Sequence, residues 1–360
     1  MSSLTMLRIC SIRNIEYAEL CLGPKLNLIY GENGSGKTSI LEAINLLAMG
    51  RSFRSSKTGS VTSEGMQELS IYAETEAGSR VGLVKPRRQS HQLKLDAENQ
   101  KNWDSVARRL PIQVLDSSSF LLLEGGPKAR RRFLDWGVFH VEHGFLNEWR
   151  KSRKCIANRN LLLKEKSPDE SQLRAWDSKL CEAAHAVDDA RMRYFQQFIP
   201  AFKKVYGSLV GQDGLAVDLE YHRGWDSDSE LTDLLIAGRQ QDLKYGSTQN
   251  GPHRADIVVK AGSVPAIDLL SRGQQKVLVS ALKITQGMLF ASAIGEQCIY
   301  LVDDLPAELD RDNRAKILDM LISLDGQLFV TCVERSSVES CLRYSPEMST
   351  FHVERGTITD

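Results

Sequence analysis

A glycine-rich segment near the N-terminus has the residue types that bind phosphate. Residues 31–38 read Gly-Glu-Asn-Gly-Ser-Gly-Lys-Thr, between an apolar run and a helical pattern, which completes the pattern G-x-x-x-x-G-K-[ST]. Glycines let successive backbone N–H groups point at phosphate oxygens, and the helix N-terminus adds partial positive charge. The lysine reaches the β- and γ-phosphates, and the next hydroxyl holds Mg²⁺. We therefore predict an ATP site that comprises Gly31, Glu32, Asn33, Gly34, Ser35, Gly36, Lys37, Thr38 and Ser39, with Lys37 also acting in catalysis.

Two adjacent carboxylates follow an apolar run nearer the C-terminus. The run Cys298–Val302 ends at Asp303 and Asp304. A triphosphate site of this type needs a carboxylate for its metal, so Asp303 is predicted to hold Mg²⁺ together with Thr38. Asp304 lies where a base that orients the attacking water would be placed. The alternative is that the pair forms an ordinary turn or helix cap.

A second helix start has the form of an anion-binding end. Ser271, Arg272, Gly273 and Gln274 precede an apolar helical pattern over 273–290. Read alone, this is an N-cap followed by a helix. Because the chain already has a complete phosphate loop, a second such end suggests a composite site between two subunits. The sequence thus predicts an ATP-dependent homodimer, in which these four residues contact the nucleotide of the other subunit.

The elements that must position these segments form an α/β domain with a helical insertion. Strands are predicted within 5–30 and at 69–72, 81–84 and 112–115, and a helix over 38–48. Strand patterns return at 298–302 and 328–331, on either side of a helix near 311–323. We expect fold class α/β, with one lobe formed by residues 1–115 and 246–360 and a helical lobe at 116–245.

The middle of the chain reads as an antiparallel helical hairpin. Apolar residues from Phe145 to Leu163 share one helical face, and a narrow apolar seam runs from Leu173 to Tyr194. Between them, Ser167-Pro-Asp-Glu170 has the form of a capping box, with Ser167 as the predicted N-cap.

Composition excludes several classes of protein. The 360 residues carry 46 Lys+Arg and 46 Asp+Glu, and 42% are hydrophobic, which excludes disorder and collagen and suffices for one large or two ordinary domains. The apolar runs read as too short for a membrane span. Seven scattered cysteines without a CxxC pair, and no secretory signal, indicate a cytoplasmic protein with reduced thiols and no zinc site.

Three of these motifs together resemble the ABC-type ATPases that act on DNA, the SMC-like group. They are Gly31–Ser39, Leu270–Gln275 and Val302–Asp310, which are similar to the phosphate loop, signature and acidic strand of that group. The resemblance covers essentially the whole chain. Further segments resemble one branch of the group, which acts in recombinational repair. They are Ser11–Asn14, Gly50–Arg54, Gly125–Asp135, Gly251–Arg254 and Val353–Asp360.

The resemblance implies a fold, a cycle and partners. The α/β lobe would be the ATPase, and the helical lobe a hairpin shorter than an SMC arm. ATP would drive dimerisation on single- and double-stranded DNA, at gaps and duplex junctions, and slow hydrolysis would release the DNA. Recombinase loading would involve the mediator proteins RecO and RecR. Arg13 and Asn14 would contact the nucleotide.

The chain departs from the pattern of that group at several positions. Ala307 replaces the Ser of the usual Ser-Glu-Leu-Asp, and Asp304 replaces the Glu that often serves as base. No His follows the 328–331 strand. Residues 115–120 lie where a metal-sensing Gln or Glu is usual, and Gln113 is the candidate offered by the sequence.

Basic residues cluster after the second glycine-rich segment. Nine Lys or Arg stand against three Asp or Glu between positions 126 and 160, which could neutralise DNA phosphates or form a solvated helix face. Arg130, Arg131 and Arg132 are predicted to contact DNA, and Arg51 and Arg54 to lie near ATP or DNA. A P-loop kinase and an ATP-binding scaffold without hydrolysis remain as alternatives.

Overall fold

The computed structural model describes residues 3–55, 61–212, 214–304, 309–343 and 346–359. The strands in chain order are β1 Leu4–Ile12, β2 Ile15–Cys21, β3 Leu26–Tyr30, β4 Glu68–Thr75, β5 Arg80–Pro86, β6 Gln92–Leu95, β7 Glu98–Asn99, β8 Ile112–Leu115, β9 Asp218–His222, β10 Asp256–Ala261, β11 Val264–Pro265, β12 Ile299–Val302, β13 Leu328–Cys332, β14 Met348–Glu354 and β15 Thr357–Thr359.

The α-helices alternate with these strands at both ends of the chain and dominate its middle. They are α1 Lys37–Met49, α2 Asp104–Arg109, α3 Leu121–Glu124, α4 Pro127–Val141, α5 Phe145–Leu162, α6 Glu170–Val210, α7 Leu231–Ala237, α8 Arg239–Tyr245, α9 Ala266–Leu269, α10 Arg272–Ile294, α11 Arg311–Ser323 and α12 Ser336–Glu339. Single 3₁₀ turns occur at Ser117–Phe120 and Pro252–Arg254.

The chain divides into two compact units. The α/β unit comprises Met1–Phe120 and Arg272–Asp360, and the helical unit comprises Leu121–Ser271. The lobe boundaries expected from the sequence were 115/116 and 245/246, so residues 246–271 lie in the helical unit instead. The reason is strand pairing, because β10 is antiparallel to β9 and joins it and β11 in a three-stranded sheet.

Two six-stranded sheets build the α/β unit. One is ordered β2-β1-β4-β5-β6-β7 and is antiparallel. The other is ordered β15-β14-β3-β13-β12-β8, and its strands from β14 to β8 are parallel. Helix α1 is buried along most of its length, with Ile40, Leu41 and Ile44 fully inaccessible, so it anchors the C-terminal end of the segment between β3 and α1 to the core.

Helix α10 is a core helix of the α/β unit. By length and composition alone it could cross a membrane, although the sequence pattern indicated no such stretch. Of its most apolar stretch, 61% is buried inside the fold, which is the position of a core helix. It begins at Arg272, next to the predicted start, and runs four residues beyond the predicted end.

Helices α5 and α6 form the predicted hairpin of the helical unit. Cys155 of α5 packs with Leu180, Cys181 and Ala184 of α6 in one apolar cluster. The predicted N-cap Ser167 is wrong, because α6 begins at Glu170 and Asp169 caps it. The Asp169 carboxylate accepts hydrogen bonds from the backbone N–H groups of Ser171 and Gln172, and hydrogen bonds led by that from the Ser171 side chain lower its pKa to about 2.

A buried ion-pair network ties three helices of this unit together. Arg159 of α5 is fully inaccessible, and its Nε donates to Asp177 Oδ1 of α6 at 2.5 Å. Its Nη1 donates to Asp242 Oδ2 of α8 at 2.6 Å and to Thr248 Oγ1 at 2.9 Å. Arg239 Nη2 donates to the second Asp177 oxygen at 2.8 Å. Arg159, counted by sequence in the basic cluster, is therefore a structural residue.

Replacing Arg159 with methionine is expected to lower the free energy of unfolding by about 3–5 kcal/mol, since it leaves buried carboxylates short of a partner. Urea denaturation of the full chain measures the effect. Arg174→Met is the matched control, because Arg174 pairs with Glu170 on the exposed surface of α6 and such pairs contribute only about 0.3–0.5 kcal/mol. Equal losses in the two variants would contradict a stabilising network.

Candidate nucleotide site

The predicted phosphate loop, the acidic pair and a threonine lie at the same edge of the parallel sheet. The loop follows β3, Asp303 follows β12, and Thr331 lies near the end of β13, the strand between them. Ligands of open parallel sheets bind at the carboxyl ends of the strands, so the strand order itself brings these groups together.

The loop has the backbone that its glycines allow. Gly31 and Gly36 have φ of +149° and +125°, a region that disfavours other residues, and a Cβ at Gly31 would overlap the Val353 carbonyl oxygen. The Lys37 ammonium donates to the carbonyl oxygens of Gly31 and Glu32 at 2.7 and 2.8 Å. Burial lowers the pKa of Lys37, although Asp304 and Asp303 oppose that effect.

The turn between β1 and β2 braces the loop from one side. Asn14 Nδ2 donates to the Ser35 carbonyl at 2.8 Å and to the Gly34 carbonyl at 3.2 Å, while its Oδ1 accepts from Ser39 Oγ at 3.2 Å. Arg13 donates from Nε and Nη2 to the two oxygens of Glu42, each at 2.8 Å. Both residues were expected near the nucleotide, and here they also hold the loop and α1 in place.

Glu42 and Ser52 are site-supporting residues that sequence reasoning missed. The Glu42 carboxylate is fully buried within α1 and accepts from Arg13 and from the Ser52 hydroxyl. A glutamate in an otherwise apolar helical face was the available signal, because a buried carboxylate requires a partner.

Asp303 is hydrogen-bonded to Thr38, so the two side chains could hold one metal ion together. Its Oδ1 accepts from Thr38 Oγ1 at 2.9 Å and from Thr331 Oγ1 at 2.8 Å. Burial raises the pKa of Asp303, and the two hydroxyls oppose the increase. A carboxylate beside a hydroxyl at a phosphate loop supplies the hard oxygen ligands that Mg²⁺ prefers. Thr331, whose role the sequence did not reveal, therefore belongs to the site.

Asp304 has a constrained backbone at the edge of the same groove. Its φ is +50°, which is uncommon for a residue other than glycine, and its N–H donates to Thr331 Oγ1 at 2.8 Å. The threonine thus positions both acidic residues, one through its hydroxyl hydrogen and the other as an acceptor.

These groups surround one groove with a volume of about 250 Å³. The predicted residues that line it are Arg13, Asn14, Asn33, Gly34, Gly36, Lys37, Thr38, Ser39, Arg54, Asp303 and Asp304. Gly31, Glu32 and Ser35 contribute through the carbonyl contacts to Lys37 and Asn14. The groove combines a curved glycine-rich backbone, a lysine, and a hydroxyl beside a carboxylate. These are the groups that sites for nucleoside triphosphates use to bind phosphate and metal.

The predicted signature residues stand at the start of α10. Ser271 immediately precedes this helix, and Arg272 and Gln274 are exposed within its first turn, with Gly273 partly so. The N-terminus of this 23-residue helix carries a partial positive charge, which favours an anion.

The candidate Gln113 is not placed to sense a metal. Its side chain is 1% exposed, and its Nε2 donates to Gln286 Oε1 at 3.2 Å inside the unit. Asp116, just past β8, instead shares a cavity of about 40 Å³ with Asp303. Gln113 lies within β8 and is buried in the core, whereas Asp116 lies beyond the end of that strand, beside the cavity that Asp303 also lines.

The five arginines predicted to contact DNA or to lie near it differ in their exposure and in their partners within the chain. Arg130 makes a two-pronged ion pair with Asp256 at 2.8 and 2.9 Å, and Arg131 donates to the Ala255 carbonyl at 2.6 Å, so both hold α4 against β10. Arg132 is exposed. Arg51 is exposed beyond α1, whereas Arg54 lines the phosphate groove.

Residues 307–310, which replace the usual Ser-Glu-Leu-Asp, are only partly described by the structure. Ala307 and Glu308 lie outside the described residues, while Asp310 is described and caps α11 by accepting from the Asn313 N–H at 2.9 Å. After β13 the chain continues with Val333 and Glu334, without a histidine.

This chain is similar to known proteins over nearly its whole length. The family model described as RecF/RecN/SMC N terminal domain matches residues 3–359. A DNA replication and repair protein RecF from Pseudomonas fluorescens strain Pf-5 is 40% identical, over 99% of this chain and 98% of its own. The RecF of Pseudomonas putida strain GB-1 is 41% identical over the same shares.

Solved structures support the same fold. A structure described as the recombination mediator protein RecF with ATP, in the RecFOR pathway, is 24% identical and has a TM-score of 0.87, over 99% of this chain and 97% of that one. An SMC head bound to the C-terminal winged-helix domain of ScpA is 14% identical, with a TM-score of 0.61 over 99% of this chain and 96% of that one. The fold is thus the ABC-type ATPase fold with an inserted helical lobe.

Proposed function

This chain belongs to the RecF family of DNA replication and repair proteins, and we propose that it works as an ATP-switched DNA clamp. In this proposal ATP and Mg²⁺ produce a homodimer that binds gaps and junctions of single- and double-stranded DNA in the cytoplasm. Slow hydrolysis then returns the chain to a monomer and releases the DNA.

One observation carries the proposal, the convergence of Lys37, Thr38 and Asp303 around Thr331 at the sheet edge. The loop N–H groups and Lys37 would bind the β- and γ-phosphates. Thr38 and Asp303 would hold Mg²⁺, which supplies positive charge against those phosphates. Asp304, fixed through its N–H by Thr331, would orient the attacking water.

The need for a dimer comes from the placement of Ser271–Gln274. Their exposure at the start of a long helix supports contact with the γ-phosphate side of a nucleotide held by a second copy. Such an arrangement is isologous and gives two equivalent composite sites per dimer. The RecF with ATP described in the RecFOR pathway supports ATP as the nucleotide and RecO and RecR as the mediator partners.

Two alternatives differ in measurable ways. A P-loop kinase would turn ATP over as a monomer and would need an acceptor. A scaffold would dimerise with ATP without hydrolysing it. Asp304 is shorter than the glutamate that often serves as base, so ATP turnover is the measurement that separates the scaffold from the clamp.

Replacing Asp304 with asparagine is expected to lower ATP turnover about 100-fold or more, since a positioned general base contributes roughly 10²–10⁴, while ATP-driven dimerisation persists. Steady-state ATP hydrolysis with a gapped duplex measures it. Asp312→Asn on the exposed first turn of α11 is the matched control. No turnover by the parent chain would favour the scaffold, and turnover only with an added acceptor would favour the kinase.

A further inference from the structure

The helical unit contains a second pocket, with a volume of about 380 Å³, that the ATPase site does not use. Helix α4 contributes Lys128, Arg131 and Arg132, which lie three and four residues apart and so share one helical face. Helix α5 contributes Trp149 and Arg153, four residues apart, to the lining of the same pocket. The volume falls within the range of roughly 300–1,000 Å³ that is usual for small-ligand sites.

Positive charge dominates the lining of this pocket. Besides the cations of α4 and α5, Arg191 of α6 lines it with an exposed fraction of only 2%. Among the described lining residues, Asp135 is the one carboxylate, and its oxygens already accept from Arg191 Nε at 2.9 Å and from Trp149 Nε1 at 3.0 Å. The pocket therefore has an excess of cations, which favours an anionic ligand.

The exposed cations at the mouth are available to such a ligand. Within the described part of the chain, Lys128 and Arg132 make no hydrogen bond or ion pair, and both are exposed. Deeper in the pocket, burial lowers the pKa of Arg131 and the neighbouring Arg191 adds to this effect, while Asp256 and Asp135 oppose it.

A flat stacking surface lies beside these charges. The Arg153 guanidinium lies over the Trp149 ring, 4.8 Å from its centre, and Arg153 is exposed. Indole rings and guanidinium planes are the surfaces on which unpaired bases stack. Phosphate-binding cations next to a stacking pair are a combination that an acidic peptide does not require, whereas a nucleotide uses both.

We propose that this pocket binds one unpaired nucleotide of single-stranded DNA, with its phosphate between Lys128, Arg132 and Arg153 and its base on the Arg153–Trp149 pair. A pocket of this size admits a single base only when that base is unstacked and unpaired, so duplex DNA is excluded. The inference deepens the proposed function, on which it rests only in taking the nucleic acid to be DNA, and it requires neither ATP nor a dimer.

The test measures anisotropy of a fluorescein-labelled dT12 with the full chain, without ATP, as salt varies. The variant Lys128→Gln/Arg132→Gln/Arg153→Gln is expected to bind at least about tenfold more weakly and to lose about 0.7 from the salt slope, since the pocket neutralises one phosphate of a single strand. Trp149→Leu is expected to weaken binding about tenfold with an unchanged slope, because it removes the stacking ring and leaves every cation of the pocket in place.

Matched controls separate the pocket from general charge and from the ATP cycle. Arg174→Gln/Lys203→Gln/Lys204→Gln removes three exposed charges from α6 in the same unit and is expected to bind dT12 like the parent chain. Lys37→Ala is also expected to bind dT12 normally, so a failed ATP cycle would not be mistaken for a failed pocket.

Three results would overturn the proposal. One is a triple α4–α5 variant with parental affinity and salt slope. Another is a 12-base-pair duplex that competes as well as dT12. The third is displacement of dT12 by a poly-glutamate peptide at lower concentration than by unlabelled dT12, which would identify the pocket as a site for an acidic protein segment.

Discussion

Alanine in place of Lys37 is expected to abolish ATP-driven dimerisation while the fold persists. Lys37 is 7% exposed as a whole residue, and its ammonium donates to the carbonyls of Gly31 and Glu32 in the phosphate loop. Bound to ATP, it would instead contact two phosphate groups, and hydrogen bonds to charged groups contribute about 1.5–3 kcal/mol each. ATP affinity should therefore fall roughly 100-fold or more.

Equilibrium binding of a fluorescent ATP analogue, followed by sedimentation, measures both effects. Lys94→Ala, at an exposed position of β6, is the control for loss of one lysine from the same unit. Circular dichroism and the unfolding midpoint should match the parent chain closely. Dimerisation of Lys37→Ala at parental ATP concentrations would refute the assignment of the phosphate loop.

Arginine in place of Ser271 is expected to leave ATP binding by the monomer intact and to prevent the dimer. Ser271 is exposed immediately before α10 and is not among the residues that line the groove. In an isologous dimer this position would face the nucleotide of the partner, where a long cation has no room. The dimer should be undetectable at protein concentrations about 100-fold above those needed by the parent.

Mixing the two variants gives a sharper test of action in trans. A heterodimer of Lys37→Ala with Ser271→Arg contains one composite site with an intact loop from one chain and an intact signature from the other. We expect the mixture to recover part of the ATP-dependent dimer that neither variant forms alone. Loss of ATP binding by the Ser271→Arg monomer, or no recovery on mixing, would show that Ser271 acts within its own chain.

Local chemistry made the nucleotide site predictable from the sequence. The loop from Gly31 to Thr38 is contiguous in the sequence. The chemical roles of its glycines, lysine and hydroxyl can therefore be inferred without knowing which distant residues contact it. Asp303 was predictable because apolar strands that end in a carboxylate are a strong local pattern. Helices α1 and α10 lie within a few residues of their predicted bounds, since each begins next to such a motif.

Pairings between distant residues could not be read from one sequence. Arg130 and Arg159 looked like members of a DNA-binding cluster, yet their partners Asp256 and Asp177 lie on other elements. Thr331 shows the same limit, because its contact with Asp303 depends on the order of parallel strands. The lobe boundary before α10 likewise depends on pairing between β9 and β10.

Sedimentation of the purified chain with ATP–Mg²⁺, with ADP and without nucleotide, each with and without a gapped duplex, tests the central claim most directly. The clamp predicts a dimer only with ATP–Mg²⁺ and a monomer in the other nucleotide states. This dimer should also sediment together with the gapped duplex. A monomer under all six conditions would contradict the composite site and the clamp.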